Sequence, residues 1–348
     1  AQLLKHQAQH SLYCKKIDEA QKYIETALNL YMELSGANSF KTAQAFRIAG
    51  NIYLKKAQKE SLRIKRSVFF MRNRASQSID SEPEDWMKKS LDALNKGEEI
   101  LSKAPEEYAV EISKFHDSFS QYYITEWEKR RSDELIQRAI DHQEKGLEFK
   151  LKFYTPNTLT IARHRSILGD LYRKQDRANE EAPKQFFEAL NIYGASMKPF
   201  DKETLVPISL LMQFYSECGR TDHYEAERAL IFYYLYCGME LAIGSFDEDM
   251  IKKGIQLSKQ YEKIGNIAAA IAFTKILHEI ETDVKGKEIS QKRLSNLGKY
   301  TKIKEYIDLP NVLKFKENID IFSDTAKKYF DDEQLVVIWK FLGKFLGL

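Results

Sequence analysis

The sequence has few residues that interrupt regular structure. Its 348 residues include only 7 prolines and 15 glycines, which disfavours a turn-rich β fold and favours helices. Cysteine is also scarce: Cys14, Cys218 and Cys237 are odd in number and lack the spacing of metal ligands. We therefore expect reduced thiols that serve in packing, in a protein of the cytoplasm.

An excess of charge of one sign is missing as well. Lys and Arg number 54 against 51 for Asp and Glu, so we expect neither nucleic acid nor an anionic membrane as a partner. The most apolar stretch, 229–244, contains Glu240 and is too short for a bilayer span, so membrane insertion is not expected. The chain begins without Met and without the apolar core of a signal peptide, which predicts a start inside a longer protein.

Motifs of common catalytic sites are absent from the sequence. It contains no phosphate-binding loop, no dinucleotide-binding glycine pattern and no Cys-x-x-Cys. His6 and His10 have the spacing of zinc helices, but Gln7 stands where a metalloprotease needs a glutamate, and an exposed helical face is the favoured interpretation. We expect no enzymatic activity, no cofactor and no metal.

What the sequence does contain is an internal repeat. Segments 19–31 and 181–193 share Glu-Ala, then Ala-Leu-Asn at a fixed interval, then Tyr, and 139–147 and 90–97 repeat the pair of small residues. Small residues at this interval lie on one helical face and let a neighbouring helix approach closely. In each copy a tyrosine follows at the same distance in the next helix. These tyrosines are Tyr53, Tyr123, Tyr172 and Tyr215.

The repeat predicts pairs of amphipathic helices, roughly six of them, that must stack because neither helix of a pair can cover its apolar side alone. We expect an all-α solenoid with repeats in 1–59 and 89–280. Residues 60–88 are predicted to be an insertion, made of a basic helix extension and a polar loop. Residues 281–348 are predicted to form a C-terminal helical cap.

The repeated segments resemble tetratricopeptide repeats. Leu168-Gly169 followed by Tyr172, and Ala49-Gly50 followed by Tyr53, match the first helix of that motif. The long interval between Tyr172 and Tyr215 is similar to the kinesin light chain and nephrocystin subtype. The resemblance implies a right-handed solenoid whose first helices line a concave groove. Two positions depart from the motif, because Ser120 and Met212 stand where it has Gly.

Candidate groove residues follow from their positions relative to the recurring tyrosines. Arg47, Asn51 and Lys114 resemble the Lys/Asn clamp that some tetratricopeptide proteins close on a peptide carboxylate. Ordinary solvated groove residues are the alternative, and the favoured one. The full candidate set is Arg47, Asn51, Lys114, Arg163, Asp170 and Arg173.

Two further segments have open interpretations. The basic and aromatic segment 63–74 is predicted to be a solvated helix extension, with binding of a partner helix, calmodulin or an anionic surface as the alternative. The apolar end 335–348 is predicted to cap the solenoid, with docking into another subunit through Trp339 and Phe345 as the alternative.

These observations predict a scaffold that binds a protein or peptide partner and belongs to a larger complex. One alternative is a structural subunit of a large cytoskeletal or ciliary assembly. The other is the helical regulatory part of a larger protein.

Overall fold

The computed structural model describes residues 1–71, 85–176, 179–196, 203, 205–219, 223–242, 248–281, 284–297, 309, 312–314 and 319–346. Every regular element in these ranges is a helix, which confirms the predicted all-α class. The chain forms two compact units, Ala1–Tyr154 (unit 1) and Thr155–Leu348 (unit 2). No helix within the described ranges has the length and apolar character needed to cross a membrane.

Unit 1 consists of helices that pack on their neighbours in the chain. The helices are α1 Gln2–Tyr13, α2 Ile17–Ser35, α3 Phe40–Met71, α4 Trp86–Leu101, α5 Ala109–Arg130 and α6 Asp133–Phe153. Each odd-numbered helix pairs with the even-numbered helix that follows it, and α3 also contacts both α1 and α5. Helix α3 continues to Met71, so the predicted insertion begins as a helical extension; residues 72–84 lie outside the described part of the chain.

Unit 2 continues the same pairing and adds helices at its C-terminal end. The helices are α7 Leu159–Gln175, α8 Glu181–Ser196, α9 Leu205–Cys218, α10 His223–Ala242, α11 Glu248–Lys263, α12 Ile267–Ile280, α13 Val284–Leu297, α14 Ile319–Ala326 and α15 Asp332–Leu346, with a 3-10 turn at Val312–Lys314. Helix α7 pairs with α8, α9 with α10 and α11 with α12, while α13 packs on α12 and α15 packs on α8.

Several helix ends carry the signals that terminate helices. Helix α2 stops at Gly36, whose φ of 86° suits glycine. The Asp85 side chain accepts a hydrogen bond from the Lys88 backbone N–H and caps α4. Asn266 caps α12 in the same way by accepting from the Ala269 N–H.

The small residues of the repeat lie where two helices of a pair come closest. A Cβ built on Gly169 of α7 would lie 3.0 Å from the Ala182 carbonyl oxygen of α8. In α3 and α4, the Ser90 hydroxyl donates to the Gly50 carbonyl oxygen at 2.8 Å. The predicted close approach through small residues is confirmed for these two pairs.

Three of the four recurring tyrosines, Tyr53, Tyr123 and Tyr215, contact a ring of the following helix. Tyr53 lies 5.8 Å from the Trp86 ring, and the Tyr215 and Phe232 rings stack at 5.7 Å. The Tyr123 ring stacks on the His142 ring of α6 at 5.5 Å. Each of these rings packs on the second helix of its own pair, so the repeated tyrosine joins the two helices. Aromatic pairs of this kind add to the free energy gained from burial.

The C-terminal helix α15 has α8 as its main partner. A Cβ built on Gly194 of α8 would lie 3.2 Å from the Phe341 Cα, so the two backbones approach closely. The Lys340 ammonium donates to the Asn191 side-chain oxygen at 3.1 Å. The role of α15 as a cap at the end of a solenoid stays a prediction, because α15 packs on α8, a helix near the start of unit 2.

Candidate functional site

A buried carboxylate surrounded by basic side chains lies in unit 1. Glu111 is only 3% exposed, and its two oxygens accept from Arg47 Nε at 2.7 Å and from Lys114 Nζ at 3.1 Å. Gln44 donates to the same carboxylate at 3.4 Å, and Lys5 Nζ donates to the Gln44 side-chain oxygen at 2.9 Å. These five residues are called the basic cluster below.

The basic cluster is assembled by the first helices of three consecutive pairs. Lys5 comes from α1, Gln44 and Arg47 from α3, and Glu111 and Lys114 from α5. Gln44 and Arg47 are three residues apart, as are Glu111 and Lys114, so each pair shares one helical face. The side-by-side packing of α1, α3 and α5 brings the three faces together.

Electrostatics in the cluster favour a negative partner. Burial alone would raise the pKa of the Glu111 carboxyl, but the Arg47 guanidinium and the Lys114 ammonium outweigh burial and hold this pKa below its usual value. Burial lowers the pKa of Lys5, and repulsion from Arg47 and Lys114 adds to that effect against the attraction of Glu111. Three cations around one carboxylate leave the cluster with a charge of +2 when all four groups are ionised.

The structure brings together two of the three predicted clamp residues. Arg47 and Lys114 meet at Glu111, whereas Asn51 is half-buried one turn further along α3. Sequence reasoning missed Lys5 and Glu111. The signal for Glu111 was its position three residues before Lys114, which is the spacing of an ion pair within a helix.

The candidate residues of unit 2 form ion pairs within the protein. Arg173 donates to Asp170 at 2.6 Å and to Glu217 of α9 at 2.8 Å, so it joins α7 to α9. Burial opposes ionisation of Asp170, but Lys174 and Arg173 hold the pKa of its carboxyl below the usual value. Arg163, at the other end of α7, pairs with Glu203 and is half exposed. Asp170 and Arg173 are therefore brought together, and Arg163 is not part of their group.

Two histidine pairs of unit 1 have nitrogen or sulfur neighbours of the kind that bind metals. His116 and His142 are hydrogen-bonded through their Nδ1 atoms at 3.0 Å, and Glu98 Oε1 lies 3.8 Å from His116 Nδ1. His10 Nε2 lies 3.7 Å from Cys14 Sγ, on the same exposed helix face as His6. Within the described ranges, no group of three or more His, Cys, Asp or Glu side chains is arranged to hold a metal ion.

No protein-family model and no curated protein matches this chain.

Proposed function

We propose that the chain is a non-enzymatic protein-interaction scaffold of tetratricopeptide type, a right-handed solenoid that binds an acidic peptide segment of a partner at the basic cluster. The repeated close contacts through small residues, Gly50 with Ser90 and Gly169 with Ala182, support the solenoid. The residues of the basic cluster all lie on first helices, α1, α3 and α5, which supports a groove lined by first helices. The cysteines of the chain are free thiols, which supports a cytoplasmic location.

The observation that carries the proposal is the net positive charge of the cluster around Glu111. Arg47 binds one oxygen of this carboxylate, and Lys114 and Gln44 bind the other. This is the arrangement that a carboxylate of a peptide needs. Lys114 is 45% exposed, so its remaining N–H donors are accessible to a partner. Glu111 then acts as an internal carboxylate that holds the basic side chains in position.

The proposal is tested by fluorescence anisotropy with the full chain and a fluorescein-labelled peptide that repeats Glu-Ala-Leu. Glu111→Gln removes the negative charge, and its amide oxygen can still accept from Arg47 Nε, so the basic side chains keep their positions. The charge of the cluster rises by one, and the dissociation constant is expected to fall about threefold. A triple variant, Arg47→Gln, Glu111→Gln and Lys114→Gln, avoids leaving a buried charge unpaired and is expected to weaken binding about tenfold relative to Glu111→Gln.

The matched control replaces two exposed lysines of unit 1, Lys22 and Lys103, by Gln. It removes the same number of positive charges as the triple variant but leaves the cluster intact, and we expect affinity close to that of the unmodified chain. Equal weakening by the control and the triple variant would place the binding site elsewhere. Failure of the unmodified chain to bind the acidic peptide would rule out the proposed ligand.

A further inference from the structure

A cavity in unit 2 is a second candidate binding site. It has a volume of about 910 Å³ and lies between α8, the end of α9, the start of α10 and α15. Cavities of this size commonly bind ligands in proteins. None of the candidate groove residues predicted from the sequence lines it.

The floor of this cavity is aromatic. Phe187 of α8 and Phe214 and Tyr215 of α9 line it, and all three side chains are buried. Phe187 packs edge-on against Phe232, with ring centroids 6.2 Å apart, so the floor belongs to the core of unit 2. Such a surface accepts the aliphatic stem of a long side chain and attracts a cation over its rings.

The rim of the cavity is acidic. Glu180, Asp331 and Glu333 are exposed at the entrance, which gives a charged partner access from solvent. The lining contains six carboxylates and two basic side chains. Two of the carboxylates also pair with arginines outside the lining, Glu188 with Arg165 and Glu217 with Arg173, so the net charge is −2 when all these groups are ionised. The carboxylates are Glu180, Glu188, Glu217, Glu225, Asp331 and Glu333, and the basic side chains are Lys184 and Arg228.

Arg228, which lines the cavity, shows how a guanidinium binds at its edge. Its guanidinium carbon lies 4.6 Å from the Tyr224 ring centre and 5.4 Å from that of Tyr215. It also donates to the Tyr329 carbonyl oxygen at 2.7 Å and to Glu225 at 3.2 Å. Aromatic faces and carboxylates thus already act together on a cation at the edge of the cavity.

A polar atom of the lining indicates a missing hydrogen-bond donor. The side-chain oxygen of Gln334, on α15, is buried and has no hydrogen-bond partner among the residues that the structure describes. A buried acceptor without a donor is energetically costly. A rotation of the Gln334 side chain toward the cavity would let the N–H groups of a bound lysine or arginine supply the donor.

We propose that this cavity binds a lysine or arginine side chain in a basic peptide segment of a partner protein. The stem of the side chain lies on the aromatic floor, and its charged end binds the rim carboxylates. The cavity is larger than one side chain, so apolar neighbours in the peptide share the floor. This site goes beyond the acidic-peptide site proposed for unit 1, because it has the opposite charge and lies in the other unit.

The test is fluorescence anisotropy of the full chain with a labelled peptide that repeats Arg-Ala-Leu. The variant combines Glu180→Gln, Asp331→Asn and Glu333→Gln; Asn at 331 can still accept the capping hydrogen bond that Asp331 receives from the Gln334 N–H. We expect binding about tenfold weaker than in the unmodified chain. A matched control replaces three other exposed acids of unit 2. It consists of Glu288→Gln, Asp320→Asn and Asp324→Asn, and its affinity is expected to stay within about twofold of the unmodified chain.

A second variant separates the cavity from surface charge. Val337→Phe narrows the cavity and leaves every carboxylate in place, so we expect loss of peptide binding. Unchanged binding by this variant, or equal weakening by the rim variant and its control, would overturn the proposal. Displacement of the peptide by an equal concentration of spermidine would also overturn it, because the site would then favour small polycations. Failure of acidic peptides to bind unit 1 leaves these outcomes unaffected.

Discussion

The paired imidazoles of unit 1 predict that this unit loses stability in mild acid. His116 of α5 and His142 of α6 share a hydrogen bond between their Nδ1 atoms at 3.0 Å, in which one neutral ring donates and the other accepts. The Phe119 ring stacks on His142 at 4.8 Å, and the Phe149 ring stacks on His116 at 5.8 Å. A proton added to the accepting ring breaks this bond and places a charge among aromatic side chains.

The size of the effect follows from the pKa values of the two rings. Burial lowers the pKa of His116 to about 4, and repulsion by His142 and Lys145 adds to this. Burial also lowers the pKa of His142 to about 4, again with a contribution from Lys145. The surrounding acids oppose these shifts only in part; Asp117 does so for His116 and Asp141 for His142.

Because the folded pKa values lie below the unfolded value near 6.5, the unfolded chain binds protons first as the pH falls. The two histidines therefore leave the stability of unit 1 unchanged above about pH 6.5 and lower it as the pH falls below that value. At pH 5 each ring lowers the free energy of unfolding by about 2 kcal/mol, or about 4 kcal/mol for the pair. Glu98 opposes part of this loss, since burial raises the pKa of its carboxyl and the folded state then gains a proton.

Hydrogen–deuterium exchange on the full chain measures this effect in α5 and α6. After correction for the intrinsic exchange rate, the protection of their slowest amides should fall by up to about three powers of ten between pH 7 and pH 5. A double variant, His116→Phe and His142→Phe, should lose much less protection, whereas His6→Gln on an exposed face should behave like the unmodified chain. Protection of α5 and α6 that is the same at both pH values would refute the reasoning.

Three further predictions concern packing, charge and reactivity. Gly169→Ala should lower the free energy of unfolding in urea by about 1–3 kcal/mol because its helix neighbour is too close for a Cβ. Gly343→Ala, which has open space around it, should be neutral or slightly stabilising. Asp117→Asn should lower the free energy of unfolding by about 3 kcal/mol in the same assay, because it removes the carboxylate that lies 2.7 Å from the buried Lys150 ammonium. Lys150→Met should lower this free energy by less, because it removes the buried charge itself. Burial raises the pKa of the Cys237 thiol, so this residue should react with Ellman's reagent only after unfolding.

The parts of the fold that sequence reasoning could predict are those fixed by local periodicity. Gly50 and Gly169 each precede a recurring tyrosine by the same interval, and Ser90 and Ala182 each begin a pair of small residues with the same interval. Two helices can approach closely where such residues face each other. The ring contacts of Tyr53, Tyr123 and Tyr215 have the same origin, since a residue at a fixed position in the first helix of a pair faces the second helix each time.

The rest depends on contacts between distant residues, which leave no periodic signal. Glu111 lies 64 residues from Arg47, and only the packing of α3 beside α5 shows that the two side chains meet. The cavity of unit 2 could not be predicted from the sequence for the same reason. Its walls come from α8 and α15, and the contact between Lys340 and Asn191 spans 149 residues.

The return of α15 to α8 also affects how unit 2 folds. In a linear array of helix pairs each pair contacts only its neighbours, so end pairs can be lost while the remainder stays folded. The contact of α15 with α8 joins the last described helix of unit 2 to the second, and Phe330 adds a contact with Phe232 at 5.3 Å. We expect this closure to couple both ends of the unit in one unfolding transition, and the contact raises the contact order of the unit. Unit 2 is therefore expected to fold slowly for a helical array and to tolerate C-terminal truncation poorly.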